Sequence, residues 1–150
     1  MSELTKYINS LENLESILVE KAKQAVLKKQ GFILGTVKSR LFNKGVDGDN
    51  KEITPSYKNQ TIEIKKSKNQ RVSHVTLRDT GEFYNSLFIN TKTNDIFLDS
   101  SDDKADYLKM KYGKSIMDLT EQEQLIIIDT IIEPFLVKEI KKLDLNIDLF

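Results

Sequence analysis

The chain of 150 residues has no cysteine, a single histidine, two prolines and no net charge. Without cysteine there is no disulfide framework, no thiolate nucleophile and no thiolate metal site. A lone histidine removes the paired-histidine zinc motifs. His74 stands among Val72, Val75 and Leu77, which reads as a strand residue rather than a base or metal ligand. No apolar run reaches the ~20 residues of a membrane-spanning helix. The opening Met1-Ser2-Glu3-Leu4-Thr5-Lys6 lacks the basic-then-apolar pattern of a signal peptide, so the chain is expected in the cytoplasm of the cell that makes it. There is no phosphate-cradling glycine loop and no oxyanion-loop serine motif. Catalytic residues, a bound metal, a cofactor and a membrane are therefore not expected. One enzymatic alternative survives, a divalent-metal nuclease built from scattered carboxylates such as Asp79 and Asp95 with Lys65.

Charge is abundant where apolar residues are lean: 31% of the chain is charged and 39% hydrophobic. A lean core suits either a subunit that completes its burial against partners or a monomer with a very soluble surface. The zero sum hides an asymmetry, with local net charges of +2 over residues 1–50, +5 over 51–78 and −7 over 79–150. A basic middle and an acidic end can pair within a subunit or between neighbours, or stay as two solvated faces.

Periodicity places the elements. Leu4, Tyr7, Ile8, Leu11, Leu14, Ile17, Leu18, Ala22, Ala25 and Val26 recur at three and four, predicting a first helix over residues 3–29 capped by Ser2 and ended by Gly31. Its stripe reads as core or as contact with a neighbouring subunit. Residues 32–42 read as a short helix or irregular turn, and Asn43–Asn50 as an exposed loop. Asp47, Asp49 and Glu52 there invite a calcium reading, but Lys51 occupies a ligand place of the EF-hand pattern. Thr61–Lys65 and Arg71–Leu77 alternate about a polar turn and predict an antiparallel hairpin. Its basic flanks, Lys65, Lys66, Lys68 and Arg71, are candidates for DNA or inter-subunit contact.

Between residues 75 and 98 lies the stretch around which the rest is organised. Val75 and Leu77 would share one strand face, with Thr76 and Arg78 on the other. Asp79 or Thr80 can accept from the first free amides of a short helix over Glu82–Leu87, with Gly81 easing the bend. Phe83 with Leu87, and Tyr84 with Phe88, make that helix an aromatic wedge. A second hairpin follows, Leu87–Asn90 with Asp95–Asp99, then a helix over Lys104–Tyr112 stopped by Gly113. Thr120 and Glu123 form a capping box opening a last helix to about Leu143. Pro134 should kink that helix near Asp129–Ile131, and its apolar circumference predicts burial on more than one side, by the sheet or by another subunit. The expected whole is one α+β domain over residues 1–150. In it a long N-terminal helix and a kinked C-terminal helix pack on a small, mostly antiparallel sheet. Residues 144–150 are expected either to be disordered or to dock as a strand on a neighbour's sheet edge, an interface tail through Leu145, Ile147, Leu149 and Phe150.

The segment Leu77-Arg78-Asp79-Thr80-Gly81-Glu82-Phe83-Tyr84-Asn85-Ser86-Leu87 resembles the L-x-D-T-G-x-(F/L)-x-x-S-(L/I/F) stretch of small virion-morphogenesis proteins of tailed bacteriophages, the neck and tail-completion group. The likeness extends to the Gly-Asp stretch from Gly45 to Tyr57 before it, and to Tyr112-Gly113 and Leu119-Thr120 after it. Phe83-Tyr84 is more aromatic than the pattern requires, and Asn50 stands where a glycine is expected. The resemblance implies a structural virion protein forming a homo-oligomeric ring in the portal-to-tail connection. Its partners would be its own copies, the portal and adjacent neck or tail proteins, close to packaged DNA. Leu77, Asp79, Thr80, Gly81, Phe83 and Leu87 would be its motif residues. The alternative is a protein-binding adaptor of similar fold that never enters a virion.

Overall fold

The computed structural model describes residues 1–93 and 95–142. It is α+β and mostly helical, with a long N-terminal helix, a C-terminal helix and a two-stranded antiparallel sheet. The elements are α1 (Glu3–Lys28), α2 (Gln30–Lys44), α3 (Asn59–Ser67), α4 (Glu82–Ser86), β1 (Leu87–Asn90), β2 (Phe97–Ser100), α5 (Ala105–Tyr112), α6 (Glu121–Ile127), a π-helical segment (Ile128–Ile132) and α7 (Glu133–Lys142). Contacts divide the chain into two compact units, one of Met1–Lys29 with the chain from Leu125 onward, the other of Gln30–Gln124. The interface tail proposed over Leu145, Ile147, Leu149 and Phe150 lies outside the described residues.

In the first unit α1 starts where its sequence says, with the Ser2 side chain accepting from the Thr5 amide at 3.1 Å. The helix ends at Lys29, whose amide closes on Ala25 and Val26 carbonyls, so Gly31 is not its terminator but lies inside α2. Alpha-helix α7 and the π segment contact α1, and Lys21 Nζ lies 3.5 Å from Glu139 Oε2. Pro134 is the second residue of α7, and the helix ahead of it widens: the Glu133 amide reaches back five residues to Ile128, and Thr130 Oγ1 donates to the Ile126 carbonyl. Proline lacks the N–H that would close a regular turn, and the π turn absorbs the mismatch. The interruption falls where the sequence placed it. Burial on more than one side is not observed: Ile127 and Ile131 are buried, while Leu125, Ile126, Ile128 and Val137 are exposed.

In the second unit α2 carries Ile33, Val37 and Leu41, four apart and all at most 1% exposed, and it lies against β1. Strands β1 and β2 pair antiparallel with Leu87 opposite Ser100 and Ile89 opposite Leu98, and Leu87, Ile89 and Leu98 are buried. Burying side chains of this size contributes roughly 1.5–3 kcal/mol each. The first expected hairpin does not form. Residues 61–65 belong to α3, and 71–77 run as irregular chain without ladder partners, bent at Ser73 and His74. Alternation over five residues fits a helix equally well: Thr61, Ile62 and Lys65 share an inward face at helical spacing, while Ile64 points out, 49% exposed.

Residues 45–53 fold back on themselves rather than hang as a loop, with Val46 bridged to Glu52 and the Asp47 carboxylate accepting from the amides of Asp49 and Lys51. Its second oxygen accepts from the Ser115 hydroxyl. Asp47 thus serves its own turn, and among the described residues no three carboxylate or imidazole groups are placed to hold a metal.

Candidate functional site

The segment Val75–Leu77 crosses the interior instead of forming a strand. Val75, Thr76 and Leu77 are all buried, so the expected two-faced alternation fails. A buried threonine must satisfy its backbone off-ladder, and two tyrosines do this. The Tyr57 hydroxyl accepts from the Thr76 amide at 2.9 Å, and the Tyr84 hydroxyl donates to the Thr76 carbonyl. Leu77 is held at φ +55°, a left-handed conformation that costs a residue with a Cβ about 1–2 kcal/mol. One residue on, the Arg78 carbonyl is held by Lys65. Its ammonium, expected at the surface, is buried, donating to the Arg78 carbonyl at 2.7 Å and to Gln70 Oε1 at 3.2 Å, 5.0 Å from the Tyr57 ring centroid.

Past that clamp the motif turn matches its sequence reading. Thr80 Oγ1 accepts from the Glu82 amide at 3.3 Å and Gly81 sits at φ +92°, opening α4. Phe83 and Tyr84 are buried edge-to-face, with ring centroids 6.4 Å apart. Leu87 and Phe88 belong to β1 rather than to the helix, because α4 stops at Ser86, whose hydroxyl donates to the Phe83 carbonyl and shares a hydrogen bond with Ser100. Asp79 is exposed. Lys68 lies 2.9 Å away and its hydrogen bond holds the Asp79 carboxyl below its ordinary value. Beside the turn lies a cavity of about 190 Å³ lined by Tyr57, Lys65, Gly81, Phe83, Leu108 and Tyr112 among others. That volume suits about six waters or one side chain, not an extended ligand.

Of the four basic candidates, Lys65 is therefore a structural pin, Lys68 is paired with Asp79, and Lys66 and Arg71 are exposed. Arg71 is held differently from the others. Its guanidinium carbon lies 4.9 Å from the Phe42 ring centroid, and Arg78, which the sequence did not single out, lies 5.4 Å from the same ring. His74 faces the same residue: its Nε2–H donates to the Phe42 carbonyl at 2.7 Å, and Nδ1 meets the Ser73 hydroxyl at 3.0 Å. That is a satisfied structural imidazole, though at a bend rather than on a strand.

Two more features were not legible. Arg40, buried on α2, ion-pairs with Glu123 and donates to the carbonyls of Val46 at 3.2 Å and Asp118 at 2.7 Å. The same Glu123 completes the predicted capping box, accepting from the Thr120 amide at 2.9 Å while its own amide donates to Thr120 Oγ1 at 3.1 Å. The second feature is exposure. The first half of α1 leaves its apolar face in solvent: Leu4 is 69% exposed and Leu11 44%, with Tyr7 and Ile8 between them. Leu4, Leu11 and Leu18 fall seven apart with Tyr7 and Leu14 between, the three-four spacing of a helix seam that packs against another helix. Compared with known proteins, the chain matches no family model, no curated protein and no solved structure.

Proposed function

We propose that this chain is a structural assembly subunit whose α1 stripe packs against other copies, and that the assembly is a ring of the neck or tail-completion type, joining portal to tail in a bacteriophage virion. One observation carries the assembly part: an apolar seam at helix-packing spacing, from Leu4 to Leu11, stands in solvent on a helix that is otherwise well capped. Apolar side chains scattered singly on a surface need no partner, but a contiguous seam loses roughly 25 cal/mol for each Å² it keeps in water. The exposed Leu125, Ile126 and Val137 add to that unfinished surface within the same unit. The virion part rests on the resemblance of Leu77–Leu87 to the phage motif. The Asp-Thr-Gly turn has there a physical role, since Thr80 and Gly81 start the short helix that positions buried Phe83 and Tyr84.

The test is the mass of the full-length protein in solution across a concentration series, beside Leu11→Asp. A multi-subunit species that the aspartate dissociates, with thermal stability retained, is the expected result. Monomers of both proteins at every concentration would overturn self-assembly. The virion assignment is tested separately, by looking for the protein at the portal-to-tail junction of purified particles. Absence from the particle leaves the adaptor reading in its place.

A further inference from the structure

Arg71 and Arg78 share one aromatic ring and have no counter-ion among the described residues. Each is exposed, neither has a carboxylate within 4.0 Å among the described residues, and neither guanidinium donates a hydrogen bond to a described residue. The acid beside Arg78, Asp79, is engaged by Lys68. Two like charges beside one ring repel each other, and the negative π-face offsets only part of that cost. An arrangement of this kind is completed by an anion.

The scaffold under the pair is fixed before any anion arrives. Phe42 ends in a carbonyl held by His74, and the Arg78 backbone is pinned at both ends, its amide to Thr76 Oγ1 at 3.3 Å and its carbonyl to buried Lys65 at 2.7 Å. Guanidinium held over a ring keeps its in-plane N–H fork free, the donor edge that matches phosphate oxygens. Long arginine side chains ordinarily lose rotamer freedom on binding, and contact with Phe42 reduces what remains to be lost.

We propose that Arg71 and Arg78, held on Phe42, form a clamp for the phosphate backbone of double-stranded nucleic acid that binds without reading sequence. A fork suits carboxylate and phosphate alike. What favours a polyanion is the surrounding charge, +3 over residues 51–78 apart from the two arginines, with Lys58 and Lys66 exposed on the same unit. Long-range attraction of this kind is strongest toward duplex, which carries a charge every ~1.7 Å of its axis. Single strands are held by bases stacking on open aromatic faces, and the Phe42 ring is already occupied by guanidinium. Neither arginine belongs to the α1 seam, so failure of the assembly reading leaves this clamp standing, and the reverse also holds.

The experiment is fluorescence anisotropy of a labelled mixed-sequence duplex with the full-length protein over a potassium chloride series. Wild type is expected to bind at low salt with affinity falling linearly in log–log form. In R71Q/R78Q the slope should become shallower by about two, one for each lost phosphate contact, with affinity at the lowest salt reduced roughly tenfold or more. F42L keeps both charges but removes the ring, and should weaken binding at every salt with a smaller change of slope. If the double variant does not fold, R71Q alone should lower the slope by about one. No duplex binding at the lowest salt, or an unchanged slope in folded R71Q/R78Q, overturns the proposal. So does displacement of the duplex at matched ionic strength by inorganic phosphate, which would reassign the clamp to free phosphate, or by polyglutamate, which would reassign it to an acidic protein surface.

Discussion

Tyr84 ties a single hydroxyl to the geometry of the motif turn. Burial pushes its pKa well above the ordinary tyrosine value. The folded chain keeps that proton where an unfolded tyrosine, near pKa ~10, has released it, so stability is fully present below about pH 10 and falls as pH rises further. Tyr84→Phe removes this alkaline loss and also the donor to the Thr76 carbonyl, leaving a buried acceptor unpaired at a cost of about 1–3 kcal/mol. Urea unfolding should therefore find the variant less stable near about pH 8, with the gap narrowing toward about pH 11. A second single-residue prediction concerns Glu123. Its loss strands buried Arg40 and also deprives the Thr120 amide of its acceptor, so Glu123→Ala should cost roughly 3–5 kcal/mol. Replacing both partners, as in Arg40→Met with Glu123→Ala, should cost less than the sum of the two single changes, and a denaturation cycle over the four proteins measures the difference.

At the scale of elements, helix ends set by a cap were more legible than the connecting chain, although Gly31 does not end α1 and lies inside α2. Ser2, the Thr120–Glu123 box, Thr80-Gly81 and Gly113 all stand at the boundaries their chemistry predicts, because a cap is a local bond between neighbours in sequence. Residues 61–65 misled because a run that short has no period long enough to separate helix from strand, and the arbiter, Lys65 reaching Arg78, lies 13 residues away. The arginine pair depends on Phe42, 29 and 36 residues distant in sequence from Arg71 and Arg78, so no local pattern announces it. Glycines of α2 offer a test of element-level reasoning. Gly45 ends the helix at φ +63° and a Cβ there would stand 2.5 Å from the His74 ring, so Gly45→Ala should destabilise by about 2 kcal/mol or more. Gly35 lies mid-helix with nothing within 4 Å of a new Cβ, and Gly35→Ala should stabilise by roughly 0.5–1 kcal/mol. Thermal melts of the two variants should move in opposite directions.

At the scale of the whole molecule, the charge asymmetry and the apolar seam predict opposite responses to salt. The sequence invited pairing between a basic hairpin of one copy and acidic groups of the next. That hairpin is absent, Lys65 is buried, and Lys68 is satisfied by Asp79 within its own chain. Assembly through α1 should accordingly persist or strengthen between about 50 and 500 mM salt, while duplex binding collapses over the same range. Sedimentation of the protein alone and anisotropy with the duplex read the two effects separately. The C-terminal helix adds a geometric condition on any such assembly. A π turn inserts about one residue, and at ~100° per residue it rotates everything after it out of phase with everything before. Leu125 and Ile126 precede the insertion, and Val137 and Ile140 follow it. On an uninterrupted helix Leu125 and Val137, twelve residues apart, would stand about 120° from each other, and the inserted residue takes back about 100° of that, so the π turn brings these two exposed side chains toward one side.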